Sequence, residues 1–478
     1  MRNNQINLFI PGISENRINP LLCRNDVDTW LMGCLYQGMM MYNEKIELVP
    51  RLLSEYYNNN DCTQHILELK PGLLWSDNKM ISSDDIKFTI EIILSGFGNF
   101  QNHYFKNIKE LIIIDSLTLR IVLKKPDKFF KQRLLLPILP KHIFKHIDLA
   151  SFYSNKYNKN YIGCGPYKLI KIEGDKYFFD RNDAFHLGAP KIKNMVIQTG
   201  SIEVLEQLIL EEKLDFTTLP IRLLSNKDIY INSSYNFYPL PKPEIIYIAL
   251  NHRTNFFRNI ENRNYFYRFI DKKKIINNVY HGFAENLNQF YPKLLERFKN
   301  EDHQSEPRNT ISDYPLSLKL GYFINNEEHQ LIARELVKEF KVKGIDIILK
   351  KFDSNIWKED FKENKLDMFI ITQTLMLHPD PSFAFGEKGI INEIIGWEDE
   401  ENVSLIKKGL EVDPIYFKQW SKYICEQLPV LFICSPYDVQ IINKRIRNIK
   451  PDPRGILWNI HEIEMIEEYE IHSKNFFY

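Results

Sequence analysis

Apolar and polar positions alternate from His65 to Leu69, break at a Pro71-Gly72 turn, and regroup around Trp75 before the polar turn Ser76-Asp77-Asn78. The period then changes. Ser82 with Asp85 three residues on is close to a capping box, and Ile86, Ile90 and Ile93 share one face at helical spacing. This stretch predicts a strand, a turn and a capped helix.

The same two periods alternate along the rest of the chain. Leu8 to Gly12 opens with a short strand, and Asp28 to Tyr42 predicts a helix closing at a glycine and a run of methionines. Lys109–Ile114 and Leu117–Leu123, divided by Asp115-Ser116, predict a hairpin, and Pro137 to Phe144 leads into a short helix. The apolar run Leu134–Leu139 suits a buried strand or helix segment, as does Val430–Cys434; Asn155–Asn160 predicts a loop. Gly163–Ile172 and Lys176–Arg181 form strands on either side of a Glu173-Gly174-Asp175 turn, and three prolines from Pro239 to Pro243 mark a boundary. Beyond it come a strand at Ile245–Asn251 and a helix through Tyr265–Asp271. Then follow an amphipathic helix at Glu327–Val342 on Ile332, Leu336 and Phe340, stopped by Gly344, and strands at Ile345–Lys350 and Leu366–Ile371. Such alternation predicts α/β lobes.

Length and composition narrow the function. At 478 residues, with 32 Phe and 25 Tyr, the chain can bury more than one core. Lys and Arg number 62 against 62 Asp and Glu, without the basic surplus expected of a general nucleic-acid binder, and Lys272-Lys273-Lys274 reads as a solvated helix face. No run approaches the roughly 18 apolar residues of a membrane span, and Met1–Gly12 lacks the apolar core of a secretory signal. Six cysteines show no Cys-x-x-Cys pair and no zinc spacing, which predicts buried thiols and fits a reducing compartment slightly better than an oxidising one. Nucleophile-elbow, zinc-helix and phosphate-loop motifs are absent from the sequence, so no enzyme is expected and no cofactor or metal is called for.

Ordered pieces of the chain resemble a known family. Ile18-Asn-Pro-Leu-Leu followed by Leu35-Tyr-Gln-Gly-Met resembles that family's opening strand and its "lyEgL" helix, and Leu48-Val-Pro-Arg-Leu-Leu-Ser-Glu its "PdLAes" segment. Lys70-Pro-Gly-Leu-Leu-Trp-Ser-Asp is similar to "rkGvkWhDG", Leu139-Pro-Lys-His-Ile-Phe to "lPkhif", and Gly163-Cys-Gly-Pro-Tyr-Lys-Leu to "GtGPYkl". Phe269 to Ile276 with Val279-Tyr-His-Gly-Phe-Ala, Leu336 to Leu349, Leu428 to Phe432 and Asn443 to Pro451 resemble later segments in the correct order. The family is that of the family 5 extracellular solute-binding proteins, the oligopeptide- and dipeptide-binding components of ABC importers.

The resemblance implies a periplasmic-binding-protein type II fold with three lobes. Lobe I would comprise residues 1–43, 162–240 and 441–478, lobe II residues 44–161, and lobe III residues 241–440. It implies capture of a peptide or peptide-like molecule in an interlobe cleft by hinge closure, as a monomer that meets the membrane only through its permease partners, with no nucleic acid. An extracytoplasmic location follows from the family. The absent export signal and the six cysteines point instead to the alternative, a cytoplasmic sensor or carrier on the same fold.

Ligand candidates also come from the resemblance. Gln37 and Met39 stand in the "EGL" segment, where Gln replaces an acid able to pair with a basic group, and Met39 to Met41 suit either an adaptable binding surface or core filling. In the segment where peptide binders carry an aspartate for the peptide's amino group, this chain has Gln373 or Thr374 at the aromatic position and Met376 or Leu377 at the acid's, so that acid is missing; Asp380 matches the turn that follows. Tyr104, Trp357 and His378 complete the set, the two aromatics serving as ligand contacts or as packing.

Overall fold

The computed structural model describes residues 4–23, 25–96, 105–146, 161–231, 234–298, 317–452 and 456–466. They fall into two compact units, residues 1–238 with 440–478 and residues 239–439, so the chain passes between units twice. Alternating strands and helices build both, which meets the α/β expectation.

In the first unit, strand Gln5–Pro11 lies parallel to Asn194–Gly200 with Leu8 opposite Ile197, and Asn194–Gly200 continues into the hairpin Lys176–Arg181/Tyr167–Glu173. On the other edge Leu8 pairs with Phe216, which pairs with Ile442. Ile6, Leu8, Phe9 and Ile10 are all buried, the near-continuous apolar run of a strand covered on both faces. A separate antiparallel sheet orders Leu53–Asn58, Gln64–Leu69, Thr118–Leu123 and Ile108–Ile113. Its strand Gln64–Leu69 buries His65, Leu67 and Leu69, as the alternation predicts, and helix Ser83–Leu94 covers the sheet with Ile86, Ile90 and Ile93. The Asp85 carboxylate accepts the Ser82 N–H at 3.0 Å, closing the start of that helix.

In the second unit the sheet runs Asp346–Phe352, Ser317–Phe323, Met368–Thr374, Glu244–Leu250 and then the first part of Val430–Asn443. Ser317–Phe323 and Asp346–Phe352 are parallel, joined by helix Glu327–Val342 with the boundaries expected. Gly344 at φ +79° ends that connection. Gly321 is fixed by packing, because a Cβ there would sit 2.4 Å from the Phe369 ring.

Three local expectations change. The helix expected over Asp28–Tyr42 spans Asp26–Leu35, and Met40–Tyr42 is a strand paired with Leu48–Pro50. The run Leu134–Leu139 is neither strand nor helix. It follows a short helix at Phe130–Arg133 and buries Leu134, Ile138 and Leu139 from irregular backbone. The helix read through Asp271 ends at Arg268, because Asp271 caps the next helix, Lys272–Tyr280, by accepting the Lys274 N–H. Val430–Cys434, read as a buried strand or helix segment, is buried at the start of a fourteen-residue strand. The loop read at Asn155–Asn160 lies outside the described residues. Among the described residues no helix is long and apolar enough to cross a membrane.

Candidate functional site

The site in the first unit begins where helix Asp26–Leu35 stops. Asn25 caps its start by accepting the Asp28 N–H at 2.7 Å, and Asp26 and Asp28 sit at the positive end of the helix dipole. At its other end the chain turns extended at Tyr36 and is clamped between two backbone segments. The Leu35 carbonyl accepts the Gly165 N–H at 2.7 Å, where a Cβ on Gly163 would lie 1.9 Å from the Leu35 oxygen. On the other side a Cβ on Gly38 would meet the Leu135 oxygen at 2.3 Å, and the Gln37 carbonyl accepts the Ile138 N–H at 3.3 Å. Only glycine permits these approaches, so Gln37 is presented from a fixed backbone.

The next residues bring in a basic group. The Met39 carbonyl accepts the N–H groups of Arg51, Leu52 and Leu53 at 2.9, 3.1 and 3.4 Å, which holds Arg51 against the Gln37 turn. Arg51 Nε donates to Gln37 Oε1 at 2.7 Å, its Nη1 lies 2.9 Å from Met41 Sδ, and its guanidinium carbon is 5.7 Å from the centre of the Phe185 ring. Gln37 and Arg51 together face a cavity of about 350 Å³, walled mainly by Trp30, Met32, Tyr36, Met40, Met41, Tyr42, Pro137, Leu457 and Trp458. Trp458 is braced from outside: its indole N–H donates to the Lys450 carbonyl at 3.0 Å, and Lys450 Nζ reaches Glu44 at 2.6 Å and Glu462 at 3.6 Å. The walls are apolar and rich in aromatic rings and thioethers, with a polar pair at one side, the pattern of a small-molecule site.

The electrostatics around Arg51 are positive. Burial, then Arg51, Lys70 and His461, push His186 down to about 3. Burial followed by Arg51 also lowers His461 and Lys70, and Glu462 partly opposes the effect on His461. Both histidines contact the ring that carries Arg51, at centroid distances of 4.7 Å and 5.6 Å from Phe185.

The structure distributes the expected ligand residues over both units. Gln37 is on the cavity wall, whereas the Met39 side chain is buried in the first unit's core, where its backbone oxygen organises the turn. Tyr104 lies outside the described residues. In the second unit Trp357 is buried, stacked on Phe369 at 4.0 Å between centroids and 18° between planes. Gln373 lies one residue before the end of strand Met368–Thr374, opposite Ile245, and accepts the Tyr247 hydroxyl at 2.9 Å. Met376 is exposed, and His378 Nδ1 accepts the Asp380 N–H at 3.2 Å. Asp380 in turn accepts the Ser382 N–H at 2.8 Å at the start of helix Ser382–Phe385. Gln373, Met376 and His378 thus follow one another from the end of a strand into a turn. Among the described residues no three His, Cys, Asp or Glu side chains gather as metal ligands would.

Arg51 and Trp458 were not foreseen as site residues, whereas Met41 belongs to the methionine run read as binding surface or core filling. A signal existed for Arg51, a lone arginine between Val49-Pro50 and Leu52-Leu53, where the neighbours demand burial. Nothing in the sequence linked Trp458 to residues some 400 positions earlier.

A family model for bacterial extracellular solute-binding proteins, family 5, matches residues 47–387. The chain is similar to the oligopeptide-binding protein AppA of Bacillus subtilis, 20% identical over 95% of this chain and 91% of that protein. The solved structure of AppA with a nonapeptide matches at a TM-score of 0.76 and 19% identity, covering 97% of this chain and all (100%) of the other. The ABC transporter substrate-binding protein CtaP of Listeria monocytogenes matches at 0.84 and 18% identity, over 96% of this chain and 99% of the other. NikZ of Campylobacter jejuni, in complex with Ni(L-His), matches at 0.76 and 20% identity, over 97% and 100%. At such identities the structures establish the fold alone, the periplasmic-binding-protein type II architecture expected above.

Proposed function

The chain belongs to the bacterial extracellular solute-binding proteins of family 5, and from that premise we propose that it captures a peptide or peptide-like solute and hands it to the permease of an ABC importer. The observation that carries the reading to this chain is the cavity at Gln37 and Arg51, set on backbone that glycines hold rigid. A rigid, mainly apolar wall with few polar groups suits reversible capture, in which contacts are made and no bond is broken. The three-lobed division at residues 1–43, 162–240 and 441–478, at 44–161 and at 241–440 belongs to the same reading. So does hinge closure on the ligand, with a single copy acting as the binding unit. In support, the chain crosses between the two compact units twice, a connection able to flex. The candidates for ligand contact are Gln37, Met39 and Tyr104 together with Trp357, Gln373, Met376 and His378.

The test is thermal unfolding of the purified protein against a panel of di- to nonapeptides and metal–histidine chelates. A true ligand at a hundred times its Kd adds about 2.7 kcal/mol by mass action, a rise of several degrees in Tm. Small-angle scattering of the same sample should show a smaller radius of gyration with ligand present. A panel in which no peptide raises Tm sinks the peptide reading, and binding without compaction sinks hinge closure.

A further inference from the structure

The cavity in the first unit carries a chemical preference that the family assignment does not supply. Helix Asp26–Leu35 and the turn after it bring Trp30 and Tyr36 to its wall, Met40–Tyr42 adds thioethers and a further ring, and Trp458 comes from near the other end of the chain. Gly33 lies between Trp30 and Tyr36, where a Cβ would meet Leu457 Cδ1 at 3.3 Å. The missing side chain lets the segment that carries Trp458 close against the helix.

The polar groups of this wall are engaged with the protein itself. Gln37 Oε1 accepts Arg51 Nε at 2.7 Å, and Gln37 Nε2 donates to the Tyr36 carbonyl at 3.1 Å. Arg51, the charged residue among the described wall residues, is held by Gln37, by Met41 Sδ and by the Phe185 ring. What the cavity offers a solute is therefore aromatic ring and sulfur. Such a lining attracts another ring beyond the area it buries, through offset or edge-on ring pairs and sulfur–ring contacts. An aliphatic side chain gains the burial alone.

Size and rigidity fit the same guest. A cavity of about 150 Å³ is enough to take one benzene ring. The volume here, about 350 Å³, admits an indole or phenol with the atoms that attach it. The indoles are also fixed before any ligand arrives: Trp30 packs on Phe216 at 5.6 Å between centroids, and the Trp458 N–H is on the Lys450 carbonyl at 3.0 Å. Little side-chain entropy remains to be lost when a ring packs on them.

Resting on the solute-binding reading above, we infer that this cavity is a subsite for one aromatic ring of the solute. The ring belongs either to a Phe, Tyr or Trp side chain of a peptide or to a free aromatic molecule.

Calorimetric titration of the full chain distinguishes these. The probes are tetra-alanine, the same peptide with Phe, Trp, Leu or Lys at each position in turn, and free indole and p-cresol. At one position the Phe and Trp peptides should bind about tenfold tighter than tetra-alanine and about threefold tighter than the Leu peptide. Thr29→Trp adds a ring to the wall from an exposed helix position, and Trp458→Ala removes one. Each should bring the aromatic peptides to within about threefold of tetra-alanine. An unaltered unfolding midpoint in Thr29→Trp excludes a general loss of structure as the cause. Equal binding of alanine and aromatic peptides, a Leu peptide as tight as the Phe one, or ring binding that survives in both variants overturns the inference and leaves the solute-binding reading standing. If only indole or p-cresol binds, and Thr29→Trp abolishes it, the inference stands and the peptide reading falls. If none of the probes binds, both fall.

Discussion

Asp215 and Arg445 form a buried ion pair that joins strands of the first unit's sheet. Arg445 Nε and Nη2 donate to the two carboxylate oxygens of Asp215 at 2.5 and 2.7 Å, with both side chains buried. Asp215 Oδ2 also accepts the Asn7 N–H at 2.8 Å, and its carbonyl accepts the Asn443 N–H at 2.8 Å. One carboxylate therefore ties the first strand to the end of the longest strand. Removing the carboxylate takes away the buried acceptor of both Arg445 donors and of the Asn7 N–H, so Asp215→Ala should cost about 3–5 kcal/mol in urea unfolding. The double variant Asp215→Leu/Arg445→Met should cost clearly less, because neither charge is left behind. A double variant as unstable as the sum of the singles would show that the backbone bonds, not the pair, hold these strands. The sequence shows both charges but not that residues 230 positions apart meet.

At the scale of elements, legibility follows the range of the forces involved. Helix Glu327–Val342 and strand Gln64–Leu69 were readable because their apolar period is complete within the segment. Met40–Tyr42 was not, since methionine favours helix and only the clamp on Gly38 and the pairing with Leu48–Pro50 draw it into a strand. Leu134–Leu139 is as apolar as any strand, yet Pro137 within it, Pro140 after it and its contacts with other backbone leave it irregular. Helix Ser83–Leu94 shows how a local signal gains a distant role. Asp85, readable as a capping residue, also accepts the Lys141 N–H at 2.8 Å and the Trp75 indole N–H at 3.4 Å. Asp85→Ala therefore strands the Lys141 and Trp75 donors as well as losing the cap on Ser82, and should cost about 2–4 kcal/mol by denaturant titration. Asp85→Asn keeps one acceptor oxygen and should cost less; equal losses would mean that the charge rather than the hydrogen bonds is what the helix start requires.

Across the whole molecule, the order of short family-like pieces made the fold readable, whereas half of the candidate site depended on residues such as Arg51 and Trp458 that only folding brings together. The same distinction governs how the molecule should respond to acid. His329 is buried with its Nε2 on the Thr372 hydroxyl at 2.8 Å, and burial pushes it down to about 4. His252 is buried on the Pro429 carbonyl at 3.0 Å, and burial, aided by Arg263 and Arg253 against that carbonyl, also brings it to about 4. Each imidazole is neutral in the folded chain and titrates near 6.5 in the unfolded one. Between those values the unfolded state binds more protons, so stability is complete above about pH 6.5 and falls as pH drops toward 4. Linkage sets the loss at about 2 kcal/mol for each histidine by pH 5. Buried carboxyls such as Glu328, Glu339 and Asp367 are raised by burial and act in the opposite sense, but from the lower starting point of an ordinary carboxyl. The histidine contribution is isolated by His329→Gln, which cannot take up a proton. Urea midpoints at pH 7.5 and pH 5 should differ less in that variant than in the parent, by about 2 kcal/mol. An unchanged difference would mean that the imidazole finds water or a partner on protonation, and that the acid sensitivity of the fold lies elsewhere.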